Sequence, residues 1–78
     1  MKTSIENNIR TLRFNRGEMT QQALADKIGV SRQTVVAIER AKYSPSLELA
    51  FRIAAVFEVP LTEVFLFEGE AGSVRQQR

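Results

Sequence analysis

The chain contains no cysteine and no histidine. Without thiols there is neither a disulfide nor a thiolate metal site, and the redox compartment is left open. Without imidazole the commonest general base and the commonest metal ligand are missing, and no hydroxyl has a histidine to activate it as a nucleophile. Carboxylates do not fill the gap. Asp26, Glu39 and Glu48 fall on different predicted elements, and Glu68 and Glu70 fall in a polar tail, so no cluster for a catalytic metal is expected. The expectation is a protein that is not an enzyme, with no catalytic residue, no metal and no cofactor. Long apolar runs are also lacking: none approaches the roughly 18 residues of a membrane span. The first eight residues, Met-Lys-Thr-Ser-Ile-Glu-Asn-Asn, have no apolar core of the kind a secretory signal needs. A soluble, cytoplasmic protein with no membrane partner is expected. At 78 residues there is room for one small domain, burying about 60–65% of its unfolded surface, and little room for an enclosed substrate pocket. Aromatics are few, and Tyr43 sits beside Lys42 in the basic half. Single-stranded nucleic acid, which wants exposed aromatics in a basic groove, is therefore a poor fit.

Net charge is low, +2, but unevenly spread. Residues 1–43 carry eight basic against four acidic side chains, whereas residues 44–78 carry three against five. A basic first half and an acidic second half suggest one surface that faces a polyanion.

The basic half contains the most organised stretch, residues 20–40. Thr20 is placed to cap a helix with its hydroxyl, and Leu24 and Ile28, four apart, then share one face. Gly29 stands where a helix ends on a left-handed residue, a conformation glycine adopts without steric cost. Ser31 is a second cap, and Val35 and Ile38 form a second inward face. Helix, tight glycine turn, helix is the sequence form of a helix-turn-helix. With Val35 and Ile38 inward, Arg32, Gln33, Val36 and Ala37 point outward, with Arg40 a turn later. Arginine and glutamine make bidentate contacts to guanine and adenine edges, and small apolar side chains touch the thymine methyl. A solvated helix face would show the same composition; the capped, glycine-linked pair in front of it favours the duplex-reading alternative.

In chain order, the i, i+4, i+7 spacing of Ile5, Ile9 and Leu12 predicts a first helix over residues 5–16, closed by Gly17. Lys2, Arg10 and Arg16 are expected in solvent, the alternative being that one of them meets a phosphate. After Arg40, Ala41-Lys42-Tyr43-Ser44-Pro45 reads as a loop, because proline disfavours helix in the residue before it. Ser46 caps a fourth helix whose buried face is Leu49, Ala50, Ile53, Ala54 and Phe57, with Glu48 in its first turn. Pro60 opens a short fifth helix over residues 61–65. Val64-Phe65-Leu66-Phe67 does not fit one helical face and could continue as a short strand. Either it caps the core of one chain, or a second chain covers it. Residues 69–78 read as a polar flexible tail, leaving 1–68 as the folded domain.

These residues resemble the lambda-repressor-like, or Xre, family of helix-turn-helix proteins. The likeness is carried by Met19-Thr20-Gln21, Leu24-Ala25, Ile28-Gly29-Val30-Ser31-Arg32-Gln33-Thr34, Ile38-Glu39 and Lys42-Tyr43-Ser44-Pro45-Ser46. It implies an all-α fold, a compact bundle of five short helices, with a short C-terminal strand able to pair across a dimer axis. It implies a homodimeric regulator of transcription, most naturally a repressor, that binds double-stranded DNA at a palindromic operator with helix 31–40 in the major groove. Arg32, Gln33, Val36 and Ala37 fall at base-contacting positions. Thr20, Gln21, Ser31, Thr34, Arg40, Lys42 and Tyr43 fall at phosphate-contacting positions. Arg13 and Glu39 match a pair that joins the first helix to the recognition helix, and the resemblance makes residues 61–68 a dimerisation segment, with Leu61, Val64, Phe65, Leu66 and Phe67 expected at the dimer interface. Two departures stand out. Residues 17–19 are one longer than the usual linker, and Ala41 replaces a common glycine, which predicts a less sharp turn. A competing reading is an antitoxin-like module that binds a protein partner and also its own promoter.

Overall fold

The computed structural model describes residues 5–67; the polar segment 69–78 and Lys2 lie outside them. The architecture is mostly helical: β1 (Ile5–Asn7), α1 (Ile9–Phe14), α2 (Gln21–Ile28), α3 (Arg32–Glu39), α4 (Leu47–Phe57), α5 (Leu61–Val64) and β2 (Phe65–Phe67). The two strands pair antiparallel within the chain, Ile5 opposite Phe67, Glu6 opposite Leu66 and Asn7 opposite Phe65.

Three helices begin as the hydroxyl residues require. Thr20, Ser31 and Ser46 accept hydrogen bonds from the amides of Ala23 (2.9 Å), Thr34 (3.2 Å) and Leu49 (3.1 Å), each satisfying one of the orphan donors of a first turn. Gly29 ends α2 at φ 79°, and its amide and that of Val30 both bond to the Ala25 carbonyl. α3 is short and rich in β-branched residues, with little helix propensity of its own. It is held by packing, its Val35 and Ile38 buried beside Leu24, Ala25 and Ile28 of α2. Ile53 and Phe57 of α4, Ile9 of α1 and Val64 of α5 complete this core. Each fully buried aliphatic side chain contributes on the order of 1.5–3 kcal/mol.

Three features differ from expectation. The first helix does not start at Ile5: residues 5–7 form β1, and α1 begins at Ile9. The Ile5–Ile9 spacing imitates a helix, but the backbone of residues 5–7 is taken by the ladder with β2. A second strand thus joins the one expected at the C-terminus, and that strand pairs with its own chain's β1. Val64, expected on a dimer face, is wholly buried in the monomer, so it has no surface to offer a partner. Ala41, expected to relax the turn after α3, adopts the left-handed conformation itself at φ 60°. The turn is closed by bonds from the Ala41 and Lys42 amides to the Ile38 and Ala37 carbonyls, and the Ala41 methyl is buried. The longer linker before α2 is absorbed by two successive left-handed residues, Gly17 (φ 71°) and Glu18 (φ 57°).

Candidate nucleic-acid interface

The outward side of α3 is where sequence and structure meet. Arg32 and Gln33 are exposed in its first turn, and Val36 and Ala37 are half-buried one turn on. Neither Arg32 nor Gln33 has a side-chain hydrogen bond or ion pair among the described residues. They stand free of the interior because Val35 and Ile38 alone supply the buried stripe of this helix.

A polar clasp ties α3 to the rest of the chain. Arg13 of α1 makes a two-pronged pair with Glu39, Nε donating to Oε2 at 2.7 Å and Nη2 to Oε1 at 3.1 Å. Its third nitrogen, Nη1, donates to the Met19 carbonyl at 2.8 Å. Gln21 Nε2 donates to Glu39 Oε1 at 3.3 Å. Both charged side chains are largely withdrawn from water, so the bonds are charge-assisted in a setting where geometry is well determined. The Glu39 carboxylate therefore fixes α1 and the start of α2 against the end of α3, and the Arg13 guanidinium adds the linker between them.

Asn7, which sequence reasoning passed over, completes the clasp. Its Nδ2 donates to the Ile38 carbonyl at 2.8 Å, and its Oδ1 accepts from the Ile9 amide at 3.1 Å. One side-chain amide thus serves the open C-terminal end of α3 and the opening turn of α1. The pairing spans 31 residues of sequence, beyond any local motif.

The residues expected at phosphates fall into two groups. Thr20, Ser31, Thr34 and Gln21 spend a polar atom on internal bonds: the first two as caps, Thr34 through a hydroxyl pair with Ser31 (3.0 Å), and Gln21 on Glu39. Arg40, Lys42 and Tyr43 are exposed, with no side-chain partner among the described residues. Between α1 and α3 lies an open hollow of about 690 Å³, to which Arg10, Arg32, Val36 and Arg40 contribute together with the clasp. Arg10 and Arg16, both expected in solvent, part ways. Arg10 lines this hollow, whereas Arg16 donates to the Phe57 carbonyl at the end of α4.

The expected dimer residues sit elsewhere. Leu61 and Phe65 are half-buried, and Leu66 and Phe67 are exposed. Leu61 and Phe65 line an apolar groove of about 340 Å³ with Ile5, Pro45, Leu47 and Ala50. Leu47 and Phe51, one turn apart on α4, are 69% and 54% exposed, and the sequence reading missed both. The signal was available, since neither lies on the buried stripe of α4. Among the described residues no group of acidic side chains is arranged to hold a metal, and no helix is long and apolar enough to cross a membrane.

Comparison with known proteins agrees with this geometry. Residues 9–64 match the helix-turn-helix family. An uncharacterised HTH-type transcriptional regulator of Methanocaldococcus jannaschii is 54% identical over 52 residues, 67% of this chain and 79% of the relative. One of Archaeoglobus fulgidus is 48% identical over 62 residues, 80% and 87% of the two chains. The CTXphi transcriptional repressor RstR of Vibrio cholerae is 38% identical over 56 residues, 72% of this chain and 50% of the repressor. Among solved structures, a protein of Bacteroides fragilis superposes with a TM-score of 0.67 at 23% identity, over 78% of this chain and 97% of that one, a likeness of fold alone. The restriction-modification controller protein C.AhdI of Aeromonas hydrophila gives 0.64 at 29% identity, over 70% and 82%. Capped and glycine-turned, with the outer side of its third helix left free, the chain belongs to the lambda-repressor-like (Xre-type) family of helix-turn-helix DNA-binding transcriptional regulators.

Proposed function

We propose that the protein is a repressor that binds a palindromic operator as a homodimer, with α3 in the major groove of each half-site. The observation that carries this reading is the pairing of freedom and constraint on α3. Arg32 and Gln33 are exposed and unpartnered among the described residues, while the helix beneath them is held by a buried apolar stripe and by the Arg13–Glu39–Gln21 clasp. Arg32 suits a guanine edge, Gln33 an adenine edge, and Val36 and Ala37 a thymine methyl. Arg40, Lys42 and Tyr43 hold phosphates, and Thr20, Gln21, Ser31 and Thr34 add the polar atoms that their internal bonds leave free. None of this involves covalent chemistry.

Homodimerisation is supported by the groove at Leu61 and Phe65 and by exposed Leu47, Phe51, Leu66 and Phe67, apolar surface that a second copy would cover. The two α3 helices would then stand about 34 Å apart, one turn of duplex. Repression follows from occupancy of a promoter, and one relative, RstR, is a transcriptional repressor. Selection of bound sequences from a random duplex library tests the reading. It should return an inverted repeat, and Arg32→Ala and Gln33→Ala should each relax it, because a good bidentate contact discriminates by about 1–3 kcal/mol. A selected sequence unchanged by both substitutions would remove α3 as the reader.

A further inference from the structure

We infer that the hollow between α1 and α3 is a second seat for the DNA backbone, with Arg10 of α1 as a phosphate ligand facing Arg32 and Arg40 of α3. This inference rests on the proposed DNA binding and adds to it a wall of the interface outside the helix-turn-helix.

Charge carries the inference. Four arginines and a single carboxylate, Glu39, line the hollow, leaving it three positive charges in excess, more than the formal charge of the whole chain. Glu39 is already committed to Arg13 and Gln21. Arg10, Arg32 and Arg40 are all exposed and have no hydrogen-bond or ion-pair partner among the described residues. The exposed arginines elsewhere in the described part behave differently: Arg16 bonds the Phe57 carbonyl and pairs with Glu58, and Arg52 bonds the Ile28 carbonyl and pairs with Glu48. Among the described residues the unpaired guanidinium groups are thus confined to one concavity. Like charges gathered there repel one another until an anion arrives, and a planar guanidinium fork matches a phosphate oxygen pair.

Shape selects the occupant. The hollow is open and adjoins the outer stripe Arg32–Val36–Arg40 of α3. A strand whose bases meet that stripe brings its sugar–phosphate backbone alongside, and Arg10 approaches it from the other element. The grip on that strand is therefore shared between α1 and α3, and it does not depend on base sequence.

The test is the salt dependence of binding by the full chain, measured on the selected operator and on an unrelated duplex. Each phosphate neutralised contributes about −0.9 to the slope of log K against log salt. A dimer with two filled hollows should lose about 1.8 of slope in Arg10→Ala, so the wild type's advantage shrinks about twelvefold between roughly 50 and 200 mM salt. The loss should be equal on both duplexes, Arg10→Lys should restore the slope, and thermal midpoints should not fall, since Arg10 has no internal partner among the described residues. If Arg10→Ala kept the wild-type slope while the wild type bound DNA, this assignment would fall and the proposed function would stand. A wild type that bound no duplex would overturn both. A thermal midpoint raised by millimolar tripolyphosphate in the wild type but not in Arg10→Ala, with unchanged DNA slopes, would give the hollow to a small polyanion instead.

Discussion

The clasp between Arg13 and Glu39 makes a quantitative prediction. The two side chains retain 14% and 9% of their exposure and meet at 2.7 Å. Removing one member leaves the other withdrawn from water without its partner. For fully buried pairs such a loss costs about 3–5 kcal/mol; at the edge of the core, where water can reach the orphan, about 2–3 kcal/mol is expected for Arg13→Met or for Glu39→Leu. The double variant removes both charges together and replaces them with apolar groups of similar reach, so no orphan charge remains. What it still lacks is the donor to the Met19 carbonyl and the acceptor for Gln21, two bonds worth about 1 kcal/mol each. The double variant should therefore be about as stable as either single one, and the coupling should be about 2–3 kcal/mol. Denaturant titrations of the four proteins measure the cycle, at a protein concentration where the oligomeric state is the same for all. In thermal scans each single variant should melt about 10–20 °C lower, taking roughly 4–8 °C per kcal/mol for a domain of this size. Additive losses, with the double variant falling by the sum of the singles, would refute the idea that the pair acts as one unit.

Further outcomes are expected. Glu58 ends α4 at φ 58° and its ion pair with Arg16 is solvent-exposed and worth little; Glu58→Gly should raise stability by about 0.5–1 kcal/mol by relieving the left-handed strain, read as a higher midpoint. At Gly29 a Cβ would find room, its nearest neighbour being Arg52 Nη1 at 3.7 Å, so Gly29→Ala should cost only the backbone term, about 1 kcal/mol; a loss of several kcal/mol in denaturant would contradict this. Ile53→Ala, at a wholly buried position, should lose about 2–5 kcal/mol in the same titration. For the proposed homodimer, Leu47→Glu should leave a monomer of 8.8 kDa in sedimentation while far-ultraviolet dichroism stays unchanged; a persistent dimer would exclude the α4 face from the interface.

What the sequence made legible was local. Thr20, Gly29, Ser31 and Ser46 act within three or four residues of themselves, so their caps and turn are written in adjacent letters. Misreadings arise where a partner lies far along the chain. Ile5 has the spacing of a helix with Ile9, and only Phe67, at the other end, converts it to a strand residue. Asn7 looks like any polar residue before a helix until the Ile38 carbonyl is brought against it. Ala41 shows that residue type is a weak guide to backbone once burial of its methyl and two closing hydrogen bonds compete with left-handed strain. The Arg13–Glu39 pair was suggested by family resemblance alone, since 26 residues separate its members.

The ladder between β1 and β2 bears on how this protein can be trimmed. A fragment cut to the family's shared span, residues 9–64, would keep every helix and discard both strands. With them would go Asn7, and so the amide that steadies the far end of α3 and the first turn of α1. Such a fragment would be complete as a list of helices, yet its reading head would be loosened.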